Sequence, residues 1–115
     1  MTAVEEWQSA LAESGALTPE VVSRIFDAHG ARGRKGVEAV GERRVKQYND
    51  FLVVVGHDDE YIVEQGGCTC EDVQYNLDLE DPTQLCWHAI AAAIAMRIDA
   101  VDEHDIWYTD VRELL

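Results

Sequence analysis

Cys68-Thr-Cys70, an interval of fifteen residues, then Cys86-Trp-His88: all three cysteines of the chain and one of its four histidines fall into one C-x-C…C-x-H array. Three thiolates and an imidazole complete a tetrahedral set for Zn²⁺, with no ligand missing and no cysteine left over. Such a site is structural, because four protein donors leave no position for water or substrate. Two other uses of the thiols must be weighed. Free cysteines are often buried as small hydrophobes. A Cys68–Cys70 disulfide, or other redox use, would need a cramped loop and would strand Cys86. The odd cysteine count argues against an oxidised, secreted framework.

A chain of 115 residues is one domain with a modest core, and for a core of that size a bound metal can decide whether the fold exists. No apolar run approaches a membrane span; the longest, Ala89–Met96, is eight residues. The opening Met-Thr-Ala-Val-Glu-Glu is acidic where a signal peptide would be basic, so a soluble, cytoplasmic protein is expected. The formal net charge is −14, and Lys35 and Lys46 are the only lysines. An acidic, lysine-poor surface suits a salt-rich, halophilic cytoplasm in which self-repulsion is screened. The other reading is an acidic protein with basic clients. Seven of the nine cations (Arg24, Arg32, Arg34, Lys35, Arg43, Arg44 and Lys46) lie in one stretch, and none lies between Gln47 and Met96.

The expected fold class is α+β: N-terminal helices, then a β-hairpin and a helix pinned by one zinc in a ββα-type finger. Residues 3–14 read as an amphipathic helix carrying Val4, Trp7, Ala10 and Leu11, stopped by Gly15. Thr18-Pro19-Glu20 opens a second helix, with Val22, Ile25 and Phe26 as its stripe. A third is expected over Gly33–Val40, although Gly33 and Gly36 weaken it. Strand character runs from Arg44 to Val55, turns at Gly56-His57-Asp58-Asp59, and returns through Tyr61-Ile62-Val63. Gly66-Gly67 lets the backbone fold tightly before the thiols. Residues 71–85 read as a polar loop and Trp87–Ile98 as a helix with Ala89, Ile90, Ala93, Ile94 and Ile98 on one face. Trp107, Tyr108, Val111 and Leu114 point to a short helix or a docked tail. Three segments follow: 1–30, 32–98 and an acidic 99–115.

The ligand array, the preceding Tyr61-Ile62-Val63 strand, Cys68-Thr-Cys70-Glu-Asp72, and Cys86-Trp-His88-Ala-Ile-Ala running into an alanine-rich helix together resemble the SWIM-type zinc finger. The resemblance covers residues 32–98, and the small archaeal proteins that are little more than this finger resemble the chain most. It implies Zn²⁺ on Cys68, Cys70, Cys86 and His88, and a binding role without catalytic residues. Fingers of this kind serve in nucleic-acid and protein interaction, including recombination-mediator complexes with recombinase paralogues.

Two ligands are therefore in view. Arg32, Arg34, Lys35, Arg43, Arg44 and Lys46 could contact phosphates, with Tyr48 or Tyr75 available for stacking. Arg34–Glu38 and Glu42–Lys46, at i,i+4, instead allow internal pairing. A protein partner, recombinase paralogue or second copy, would dock through apolar surface at Trp7 or at Trp107 with Tyr108. An enzyme is not expected: Gly30-Ala-Arg-Gly33 is no phosphate loop. Glu71 and Asp72 more simply orient the ligand loop than serve as acid and base. His57 and His104 read as solvated, His104 being the substitute if His88 were not the ligand.

Overall fold

The computed structural model describes residues 2–56, 60–64, 67–70, 76–77, 81 and 83–114, with the backbone alone at Glu64, Gly67 and 112–114. Helices α1 (Ala3–Ser14), α2 (Pro19–His29) and α3 (Ala31–Gly41) lead into strands β1 (Val45–Gln47), β2 (Leu52–Val55), β3 (Glu60–Glu64) and β4 (Gly67–Cys68). Helix α4 (Trp87–Arg97), strand β5 (Asp102–Glu103) and helix α5 (Tyr108–Leu114) complete an α+β chain.

The first two helices start and stop where side-chain chemistry dictates. Thr2 and Thr18 stand in extended conformation and accept hydrogen bonds from Glu5 N (3.1 Å) and Val21 N (3.3 Å), satisfying orphan amides of α1 and α2. Pro19 takes the first helical position, where its missing N–H costs nothing. Gly15 closes α1 in the left-handed region, φ 67°, with its N–H on Leu11 O.

Helix α3 begins two residues earlier than expected, and its glycines explain why it forms despite poor propensity. Both are buried contact points. A Cβ on Gly33 would stand 2.8 Å from the Ile25 carbonyl oxygen of α2, and one on Gly36 would stand 2.8 Å from Ile90 Cγ2 of α4. The α2 backbone at Gly33 and the Ile90 side chain at Gly36 thus approach α3 more closely than a Cβ allows, and packing offsets the entropic cost of glycine in a helix, about 1 kcal/mol each.

The sheet is larger than the expected hairpin. Its order is β4-β3-β2-β1-β5, antiparallel throughout except for the parallel β5–β1 pair. The stretch read as one strand from Arg44 to Val55 is two, because Asn49-Asp50 reverses the chain: Tyr48 N donates to Phe51 O, and Val45 pairs with Val54. Cys68 lies one strand beyond Tyr61–Val63, on β4, and pairs with Val63.

Helix α4 lies between helices and sheet, packing on α1, α3 and β1–β4. It has no single apolar face: His88, Ile90, Ala91, Ala92, Ile94 and Ala95 are all buried, and only Met96 and Arg97 are fully exposed. One core joins Val4, Trp7 and Leu11 of α1, Val21 and Ile25 of α2, Ala39 and Val40 of α3, and Val45 and Val54 of the sheet to α4. Trp7, offered by the sequence as an interface residue, is fully buried and presents no surface. Its indole Nε1–H donates to His29 Nε2 at 3.0 Å, and the two rings meet edge to face.

That bond requires the neutral imidazole. Burial first, and the Arg32 charge second, push His29 below the ordinary histidine value of 6.5. Because the folded value is the lower one, this contribution to stability is complete above pH 6.5 and fades as pH falls below it toward the folded value. Urea unfolding of the wild type and of His29→Gln, at pH 7.5 and pH 5.5, should show a loss of midpoint in acid that the variant lacks. Parallel behaviour of the two proteins would show that His29 contributes nothing to acid sensitivity.

Candidate metal centre

Four short-range devices bring the ligands together. Strand β4 presents Cys68 at the sheet edge, and Cys70 follows two residues later, buried. Cys86 is the N-cap of α4: its backbone is extended, and its Sγ accepts from Ala89 N at 3.4 Å. His88 sits in the first turn, 3% exposed, its ring between those of Tyr61 (centroids 4.1 Å apart) and Trp87 (3.8 Å). The one donor atom from each of Cys68, Cys70, Cys86 and His88 lies within 4.8 Å of every other. A tetrahedral Zn²⁺ site, with Zn–S about 2.3 Å and Zn–N about 2.0 Å, sets its ligand atoms roughly 3.5–4 Å apart. The cluster therefore has the dimensions of a metal site.

Its chemistry fits as well. Both ring nitrogens of His88 are buried without a hydrogen-bond partner, a costly state for an imidazole that a metal bond at one nitrogen would relieve. Hydrogen bonding from the Cys68 thiol holds Cys86 well below the ordinary thiol range. The converse holds for Cys68, whose proton is retained by the bond to Cys86 and by burial. Cys86 also stands at the positive end of α4, where a thiolate is favoured.

Arg44 stabilises the outer wall of this region. Its guanidinium lies over the Trp87 ring (5.6 Å to the centroid), Nη1 donates to Val55 O at 3.0 Å, and Nε ion-pairs with Glu42 Oε2 at 2.8 Å. Trp87 in turn packs its ring against the candidate ligand His88, 3.8 Å between centroids. No spacing rule points to this Arg44–Trp87–His88 stack, since its members come from the approach to β1 and from α4.

The six cations expected to face phosphates do not share one condition. Arg44 is engaged as above, and Lys46 Nζ binds Asp102 Oδ2 at 2.9 Å, not Glu42, because the chain leaves helix for strand between Glu42 and Lys46. Arg34 is exposed and lies over the Phe26 ring, Arg32 is half-buried beside His29, and Lys35 and Arg43 are exposed. His104 is far from solvated isolation: its Nε2 lies within hydrogen-bond distance of Asp102 Oδ2, at 3.0 Å, and its ring stacks on Tyr48, which occupies that aromatic face. His57, Glu71, Asp72 and Tyr75 lie outside the described residues.

Fold and cluster together define a small α+β domain with a Cys₃His set of candidate metal ligands. The chain is 38% identical over 96 residues to an uncharacterized protein of Archaeoglobus fulgidus, covering 84% of this chain and 81% of that one. It belongs to the same protein family as that archaeal relative. No protein-family model and no solved structure matches the chain. Among the described residues, no helix is long and apolar enough to cross a membrane.

Proposed function

We propose that the protein is a non-catalytic interaction module of the SWIM zinc-finger type, in which Zn²⁺ on Cys68, Cys70, Cys86 and His88 fixes a surface that binds a protein partner. The observation carrying this is the convergence of four buried or half-buried donors within 4.8 Å, a complete tetrahedral set without an open coordination position. Strands β2 and β3 with α4 then form the ββα finger, and β4 supplies the first thiol. A closed Cys₃His set generates no activated water, which leaves binding as the role.

Charge favours protein over nucleic acid. The chain carries −14 overall, a charge that repels a polyanion. With Arg44 and Lys46 engaged internally, at most four of the six clustered cations remain for phosphates. Four contacts give a log–log salt slope of roughly −3.6, so a tenfold rise in salt weakens DNA binding about 4,000-fold. Apolar docking survives that rise, and by the resemblance a recombinase paralogue is the candidate partner. The exposed Arg34, Lys35 and Arg43 keep DNA as the second reading.

Native mass spectrometry before and after chelation tests the zinc half: one zinc per chain, lost together with the compact charge states, is expected. A compact, metal-free chain would overturn it. Titration with a duplex DNA of about 20 base pairs at low and at molar salt tests the other half. Weak binding that vanishes with salt is expected, and tight binding that persists would move the assignment to nucleic acid.

A further inference from the structure

Ile106 and Trp107 are 39% and 54% exposed, and they are neighbours in sequence. Around them the C-terminal segment is held at every step. His104 N donates to Gln47 O at 2.9 Å and Asn49 N to Ile106 O at 3.0 Å, continuing the parallel β5–β1 pairing. Asp50 accepts from Tyr108 N at 2.7 Å and from the Thr109 hydroxyl at 2.9 Å. Although desolvation opposes it, these donors and the Thr109 N–H hold the Asp50 carboxyl below its ordinary value. Tyr108, directly after Trp107, is buried, and its hydroxyl donates to Glu60 at 2.6 Å. The Trp107 carbonyl accepts the amides of Asp110 and Val111.

A mobile tail would expose a tryptophan at no cost in design. Here the backbone on both sides is clamped to the sheet, while the indole is turned outward. The ordering entropy that a binding loop normally loses on association has already been spent in folding. Exposed tryptophans on rigid backbone are the residue type most enriched among binding hot spots.

Charge specifies the partner. Residues 98–115 carry six carboxylates (Asp99, Asp102, Glu103, Asp105, Asp110 and Glu113) against Arg112 alone. Glu103, Asp105 and Asp110, all exposed, flank the apolar pair in sequence. Such a rim repels anionic lipid, nucleic acid and a second copy of a chain of charge −14. It attracts lysine and arginine.

We propose that Ile106–Trp107 is the docking anchor for a basic protein segment, the indole entering an apolar pocket whose rim of cations faces Glu103, Asp105 and Asp110. This rests on the protein-binding reading above and gives that reading a surface and a partner chemistry.

The test uses the zinc-loaded full chain and two fluorescein-labelled amphipathic helical peptides, one of leucine and lysine and the other with glutamate replacing lysine, read by anisotropy. The leucine–lysine peptide should bind, and Trp107→Ala should weaken it at least tenfold while zinc content and melting stay at the parent values. Trp107→Phe should recover most of the affinity, and the leucine–glutamate peptide should not bind. Undiminished binding by Trp107→Ala would overturn the anchor and leave the protein-binding reading standing. Binding of neither peptide would overturn the basic-segment anchor, and duplex DNA bound in molar salt would overturn the protein-binding reading as well. Concentration-dependent self-association abolished by Trp107→Ala would replace the basic segment with a second copy.

Discussion

Cys86→Ser should lose stoichiometric zinc and at least about 4 kcal/mol of stability, which for a domain of this size removes cooperative unfolding at room temperature. The substitution separates two jobs of one residue. Cys86 is both a candidate ligand and the N-cap of α4, accepting from Ala89 N. Serine is among the best N-caps, so the cap survives while the thiolate is lost. Structural zinc contributes on the order of 10 kcal/mol, and whole domains are stable by about 5–15 kcal/mol. Without the ion, the variant keeps two thiols and the buried imidazole of His88 packed at the start of the central helix. His88→Ala should lose zinc equally but relieve the buried imidazole, so its stability should fall less than that of Cys86→Ser. Thermal unfolding followed by circular dichroism, with zinc quantified in the same samples, checks both. Cooperative melting of the zinc-free wild type at its original temperature would show that the ion is incidental to the fold.

What could be read from the sequence was what local chemistry decides. Threonine caps, Pro19 and Gly15 set the ends of α1 and α2 without reference to the rest of the chain. The candidate metal ligands are similarly local, because C-x-C and C-x-H each place two donors within one turn or strand end, and only the meeting of the two pairs is tertiary. The misreadings are places where a distant partner overrides the local signal. The helix expected over Gly33–Val40 is present but starts at Ala31, and its glycines, weak helix formers, are retained because Ile25 and Ile90 of α2 and α4 fill the space a Cβ would take. Strand β5 is two residues long and exists because β1, more than fifty positions earlier, offers it a parallel edge. Lys46 and Glu42 have helical spacing, yet Lys46 is in a strand, and its carboxylate partner is Asp102 on β5. There Lys46 first and His104 second hold the Asp102 carboxyl below its ordinary value, fastening β5 to β1.

Trp7→Ala should cost about 3–5 kcal/mol, the range for removing a fully buried aromatic ring, and by that loss show α1 to be part of the fold that carries the candidate metal site. Trp7 is completely buried, and its Nε1–H serves His29, whose half-buried ring would lose its partner. Trp7→Phe keeps most of the ring and loses the N–H, so it should cost less, with the difference between the two variants reporting packing. The coupling to the site runs along α4. Two of the candidate ligands, Cys86 and His88, occupy its N-terminal end, while Gln8 of α1 accepts a hydrogen bond from Arg97 at its C-terminal end, at 3.3 Å. Eleven residues of helix span only about 16 Å, and one core covers α4 between those points. Destabilising α1 should therefore weaken zinc retention against a competing chelator, in proportion to the population of unfolded chain that the variant adds. Urea unfolding at fixed free zinc, paired with a chelator competition, measures both quantities on the same proteins. A Trp7→Ala chain that holds zinc as tightly as the wild type and loses less than about 1 kcal/mol would make residues 1–30 a separately docked element. The continuity of the core from Trp7 through Ile90 argues for the larger loss.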